Sequence, residues 1–198
     1  MKWNRAVHHV EALATTCADM AAKPDSIFPL RVTGLWVAGD VLGPARDLET
    51  ILVALTVDLP VPEVPWLTEP AGSRHWGNAV RLPQLPFRVC WRSAHAPVWN
   101  HLIDRPARVW SVEDGTDQHV LDALRDGRGA DIRMEAPADL PARLADDLAI
   151  SHQALTTRTA EYADRRWRPG KIEPVADALW QASTGYLDLL AVTSATAN

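Results

Sequence analysis

Two changes of hydrophobic period divide this chain, and they constrain its fold more than any single motif does. Over residues 2–22 the apolar side chains Trp3, Val7, Val10, Ala14 and Cys17 recur at a three-to-four spacing, which predicts an amphipathic helix. Lys23-Pro24-Asp25 ends it, because the residue before a proline is pushed out of the helical region. The period then shortens. Leu30 to Ala38 (LRVTGLWVA) and Thr50 to Val57 (TILVALTV) are short runs of branched and apolar residues, and both read as strands, the second apolar enough to be buried on both faces. Four prolines between Leu59 and Pro70 (LPVPEVPWLTEP) exclude helix and central strand, leaving a rigid extended connection. Further strands are predicted at Pro86–Arg92 and Arg108–Val112, and a short helix at Asp117–Arg125, before Gly127 to Gly129 break the pattern.

The helical period returns in the last third. Leu140, Leu144, Leu148, Leu155, Thr159 and Tyr162 form one face, Arg165-Arg166-Trp167-Arg168-Pro169-Gly170 ends it, and Ile172, Val175, Leu179, Ala182, Tyr186 and Leu190 begin another. Two antiparallel helices in a hairpin follow from that. The order of elements predicts an α+β fold: an N-terminal helix, a mixed β-sheet and a C-terminal antiparallel helical hairpin, with the helices against one face of the sheet. We expect a core over residues 1–136 and the hairpin over 138–196, packed on it and able to share a single domain.

Composition narrows the classes of function. The formal charge of -5 and a pI near 5.8 argue against nucleic acid as a partner, since no overall basic field is present. Seventeen arginines beside three lysines and thirty alanines fit a GC-rich coding bias, so the arginines alone do not argue for phosphate recognition. No run of 18 apolar residues predicts a membrane span and no leader pattern is visible, so a cytoplasmic protein is expected. Cys17 and Cys90 stand far apart in apolar surroundings and offer neither a disulfide framework nor a metal knuckle. The histidines lack the spacing of a zinc site, and Ser93 and Ser111 lie in no nucleophile elbow. The nine tryptophans are the strongest bias, each able to bury about 150–250 Å².

One segment could carry chemistry. The strand at Leu35–Ala38 ends in Gly39-Asp40, a turn runs to Gly43, and Asp47 and Glu49 stand two apart at the mouth of the next apolar strand. Carboxylates at i and i+2 of a strand point to one side, as shared coordination of a hard divalent ion requires. The segment resembles the nucleotidyltransferase fold of the DNA polymerase beta superfamily, in which a hydrophobic strand, a Gly-Ser turn and an Asp-x-Asp pair hold magnesium and a nucleotide triphosphate. The predicted hairpin is similar to the helical partner of small members of that superfamily. The resemblance implies a sheet of nucleotidyltransferase type, with Asp47 and Glu49 as metal ligands and Gly39, Asp40 and Gly43 at the nucleotide. Asp40 nevertheless stands where the family has a serine, the spacing from Gly39 to Asp47 is short, and Glu49 replaces an aspartate. A third carboxylate, needed for two-metal phosphoryl transfer, is absent from PFRVCWRS, which leaves Asp104 and Glu113 as the next acids. Over nearly its whole length the chain also resembles an uncharacterised actinobacterial family, through MKWNRAVHHVE, GDVLGPARDLE, VPWLTEP, APVWNHLI and RRWRPGKIEPVADALW.

A second cluster interleaves Arg165, Arg166, Arg168 and Lys171 with Trp167, a composition that could meet a phosphate or a partner and that also suits a helix C-terminus. The expectation is therefore a catalytically degenerate nucleotidyltransferase-like protein acting as a binding or regulatory module, with a protein as its possible partner. One alternative is an active enzyme using Mg2+ and an NTP to move a nucleotide to a protein, RNA or small molecule. The other is a structural, oligomerising protein with a tryptophan-rich interface.

Overall fold

A computed structural model describes residues 1–24, 26–136 and 139–196. Asp25 and the expected boundary at 138 lie outside the described residues. The fold is α+β: an N-terminal helix, a five-stranded mixed sheet and a C-terminal pair of packed helices. Helix α1, Trp3–Ala21, buries Trp3, Ala6, Val7, Val10, Leu13, Ala14 and Cys17, the stripe its spacing predicts. It closes with Ala22 N–H donating to Ala18 O, just ahead of Pro24.

The sheet is ordered β3-β2-β1-β4-β5. Strands β1 (Val32–Ala38) and β2 (Ile51–Val57) pair antiparallel, β3 (Phe87–Ser93) runs parallel to β2 on the outer edge, and β4 (Ala107–Ser111) pairs antiparallel with β1 on its other side. The two-residue β5, Gly115–Thr116, completes it. Parallel strands cannot be joined by a tight turn and need a long crossover. Residues 58–86 supply it, and this explains a helix that the sequence does not announce, α2 at Ser73–Ala79. The proline-rich part of the crossover also contains a 3-10 turn at Val61–Glu63, so the extended reading fails there, and Trp66 within it is only 1% exposed.

Helices cover both faces of the sheet, not one as expected. Helix α3, Gln118–Arg125, is capped by Asp117, whose side chain accepts from Val120 N–H, and lies with α1 on the first face. Trp3 Nε1 joins them by donating to Leu124 O at 2.9 Å. That face is a large apolar cluster including Leu13, Leu35, Ile51, Leu55, Val109 and Leu124. The second face carries a smaller cluster in which Ala38, Ala54, Cys90, Trp66 and Ile103 meet Leu144 and Leu189. Leu144 belongs to α4 (Leu140–Arg165) and Leu189 to α5 (Glu173–Thr196). At Gly185 any Cβ would overlap the Trp66 carbonyl oxygen, so only glycine lets α5 lie this close to the crossover. Buried residues of α4 end at Ser151, and those of α5 begin at Ala182. The 14 residues after Ser151, as far as Arg165, carry the hairpin tip about 20 Å farther. No helix among the described residues is long and apolar enough to cross a membrane.

Candidate functional site

The turn after β1 forms because Gly39 takes φ +70°, a left-handed conformation that side chains other than glycine adopt only with strain. It continues as a 3-10 turn, Gly39–Leu42, with Gly43 N–H donating to Asp40 O at 3.0 Å. A second 3-10 turn, Gly129–Ile132, packs under it. There a Cβ on Gly129 would stand 2.7 Å from Leu42 Cα, so this contact also demands glycine. Arg133 then reaches back, its Nη2 donating to Gly39 O at 3.3 Å and its Nε to Leu42 O at 3.4 Å.

Asp47 and Glu49 do not lie on β2. They flank the buried Leu48 in the loop before it, and both are exposed. Leu48 N–H donates to Met1 O at 2.9 Å and Leu48 O accepts from Met1 N, which pins this loop to the start of α1. Asp40 forms an exposed ion pair with Arg46 at 2.6 Å. Of the two more distant acids, Asp104 lies at the same end of the sheet but 4.0 Å from Arg133 Nη1, so the cation stands between it and the turn. Glu113 follows β4 at the opposite end, where Val112 N–H donates to Thr33 O. Among the described residues no three His, Cys, Asp or Glu side chains converge as a metal site would need. The two carboxylates have the oxygen chemistry that Mg2+ prefers, but stand as a lone exposed pair, and the set does not fit a two-metal centre.

The second cluster is self-contained. Arg166 stacks on Trp167 at 4.4 Å, Arg165 Nη1 donates to Pro169 O at 2.8 Å, and Arg168 pairs with Asp164. Lys171 is exposed and Trp167 is 80% exposed. None of these bonds reaches residues 39–49. The tip belongs to the far end of the hairpin, and the structure does not bring it to the turn.

A buried ionic cluster was invisible in the sequence. Arg92, 2% exposed on β3, donates to both carboxylate oxygens of Asp147 on α4, at 3.0 and 3.2 Å, while Arg143 Nη2 donates to Asp147 Oδ1 at 2.9 Å. Arg92 also lies over the Trp66 ring at 5.4 Å, and Trp66 Nε1 and His101 both reach Asp188 Oδ2 on α5, at 2.7 and 2.9 Å. Two guanidinium groups thus share one carboxylate. Burial, then the Arg92 charge, pulls Arg143 below the ordinary arginine value. Among the described residues Arg143 Nε and Ser151 Oγ find no hydrogen-bond partner. Arg143 and Asp147 are a local i,i+4 pair on α4, but Arg92 lies 55 residues from Asp147 and meets it only through the tertiary fold, so no local pattern signals the cluster.

Near the other end of the sheet a cleft of about 730 Å³ opens between Trp36 and Trp99, with Arg108 5.9 Å above the Trp36 ring and an exposed His95–Asp58 pair on its rim. Among the described residues no nucleophile is hydrogen-bonded to His95 Nε2, which is already given to Asp58 Oδ1 at 2.9 Å.

Fold and clefts define a small α+β protein whose sheet is enclosed by helices and whose polar residues mostly serve one another. The chain belongs to the family described as a domain of unknown function, DUF7711, whose model matches residues 1–195. No curated protein and no solved structure matches it.

Proposed function

We propose that the protein is a binding module, built on a nucleotidyltransferase-like core that does not carry out metal-dependent transfer, and that it acts through a protein partner. One observation carries this reading. The turn that would meet a triphosphate presents Asp40, paired with Arg46, and among the described residues Asp47 and Glu49 gather no third acid to complete a metal site. Asp40 adds a negative charge where a phosphate would approach, an unfavourable encounter for an anion. The mixed sheet and the packed C-terminal helices are the features of the architecture that support the resemblance read from Gly39, Gly43, Asp47 and Glu49.

The test is thermal melting with each nucleoside triphosphate and magnesium, for the parent protein and for Asp47→Ala/Glu49→Ala. A ligand that binds only the native state raises the midpoint by an amount set by its concentration over its Kd. The expected result is no rise with any nucleotide. A rise abolished in the double variant would replace this reading with that of an active nucleotidyltransferase.

A further inference from the structure

We infer that the outer edge of β3 accepts an extended peptide of alternating apolar and acidic residues as a sixth strand; the inference gives the partner class for the binding module proposed above. The argument begins with register. Ile51 N–H donates to Pro86 O and Ala94 N–H donates to Val57 O, so the even-numbered residues of β3 point their backbone groups at β2. Phe87, Val89 and Trp91 therefore point theirs away from the sheet. Among the described residues none of those outward N–H or C=O groups has a partner. Ser93, at the far end of the strand, is covered instead, its hydroxyl donating to Leu59 O at 2.6 Å.

An open edge is a template for pairing with another chain, and proteins usually cover or blunt it. Here it forms the floor of a cleft of about 620 Å³ walled by α2, by the 3-10 turn Leu82–Gln84 and by α5. The walls present Leu67, Leu82, Leu85 and the 69%-exposed Trp180. The five residues from Phe87 to Trp91 span about 13 Å of strand, enough for a short peptide to exchange main-chain bonds along them. Side chains of an added strand alternate between the two faces. On one face they meet Phe87 and Val89; on the other they meet Arg88, which is exposed and has no ion-pair partner among the described residues. An acid opposite Arg88 and an apolar residue on the next position answer both faces. Recessing favours a slender peptide over a second copy of this chain, because pairing two β3 edges would press the walls of both clefts together and place two Arg88 side chains on one face.

The experiment measures fluorescence anisotropy of two labelled octapeptides, one alternating valine with glutamate and one alternating valine with lysine, against the full chain without nucleotide. The expected outcome is at least tenfold tighter binding of the glutamate peptide. Arg88→Glu, an exposed change, inverts the preference. Val89→Pro removes an outward N–H without touching the β2 ladder and weakens the glutamate peptide tenfold or more. Equal affinities, binding indifferent to both variants, or no binding at roughly 1 mM peptide overturns the inference. So does a dimer in sedimentation that Val89→Pro dissolves, which would give the edge to a second copy. A nucleotide-dependent melting shift would overturn the binding-module reading while leaving these affinities to be judged separately.

Discussion

The two faces of the sheet are held by different physics. Against α1 and α3 the interface is apolar nearly throughout, with Leu13, Val10, Leu55 and Leu124 at 1% exposure or less. Against α4 and α5 a smaller apolar cluster surrounds Arg92, Asp147 and Arg143, with the Trp66–Asp188–His101 bonds alongside. Apolar contact is tolerant of small shifts, whereas a carboxylate shared by two guanidinium groups is satisfied in one arrangement only. The first face supplies cohesion, and the second fixes how the hairpin sits.

The sharpest way to break this contrast is Asp147→Ala. It strands two buried guanidinium groups and is expected to cost about 3–5 kcal/mol in urea unfolding. The triple replacement Arg92→Met, Arg143→Leu, Asp147→Leu is expected to restore most of that loss, because the polar cluster contributes position more than cohesion. On the apolar face Leu13→Ala is expected to cost about 3 kcal/mol by the same measurement, through lost transfer energy and the cavity left behind.

Next in size is an alkaline effect shared by both faces. Burial raises the Cys17 thiol from its ordinary 9.0 to about 12, and raises Cys90 to about 11 against the opposing pull of Arg88 and Arg92. A thiol raised in the folded state ionises first in the unfolded chain. Its contribution to stability is whole below pH 9 and drains as pH rises towards the folded value, so by pH 10 the loss is about 1.4 kcal/mol per thiol. Cys17→Ala should abolish its share of that slope in pH-dependent melting, whatever its effect at neutral pH. Asp117→Ala removes the cap of α3 and should cost about 1 kcal/mol. Trp167→Ala, at the free hairpin tip, should change the melting free energy by less than about 0.5 kcal/mol.

Much of the architecture was legible because the core stripes are local. The α1 stripe, the two-sided burial of β2 and the helix stop before Pro169-Gly170 all follow from residues within a few positions of one another. Helix α2 was not legible: SRHWGNA offers a single large apolar residue, Trp76, and an internal glycine, and it is helical because the β2-to-β3 crossover must return over the sheet edge. The placement of helices on both faces was missed for a related reason, since periodicity states which side of a helix is buried and not which side of the sheet receives it. At the turn, the glycines were visible as turn formers, but the loop that holds Asp47 and Glu49 ahead of β2 is set by a pairing of Leu48 with Met1, 47 residues away. Arg133 is farther still, 94 residues from the Gly39 carbonyl it meets.

The hairpin is buried at one end, with its last buried α4 residue at Ser151, is held along its flank by Arg74 on Asp177 and by Glu69 N–H donating to Gln181, and carries its stacked Arg166–Trp167 pair at the opposite extremity. Mechanically it is a braced beam: the Arg92–Asp147 junction fixes its root and the exposed Arg74–Asp177 pair holds it nearer the tip. The bearing of Trp167 is set by the two fixings together, and the polar cluster beneath the sheet is one of two determinants of a surface with which it has no contact.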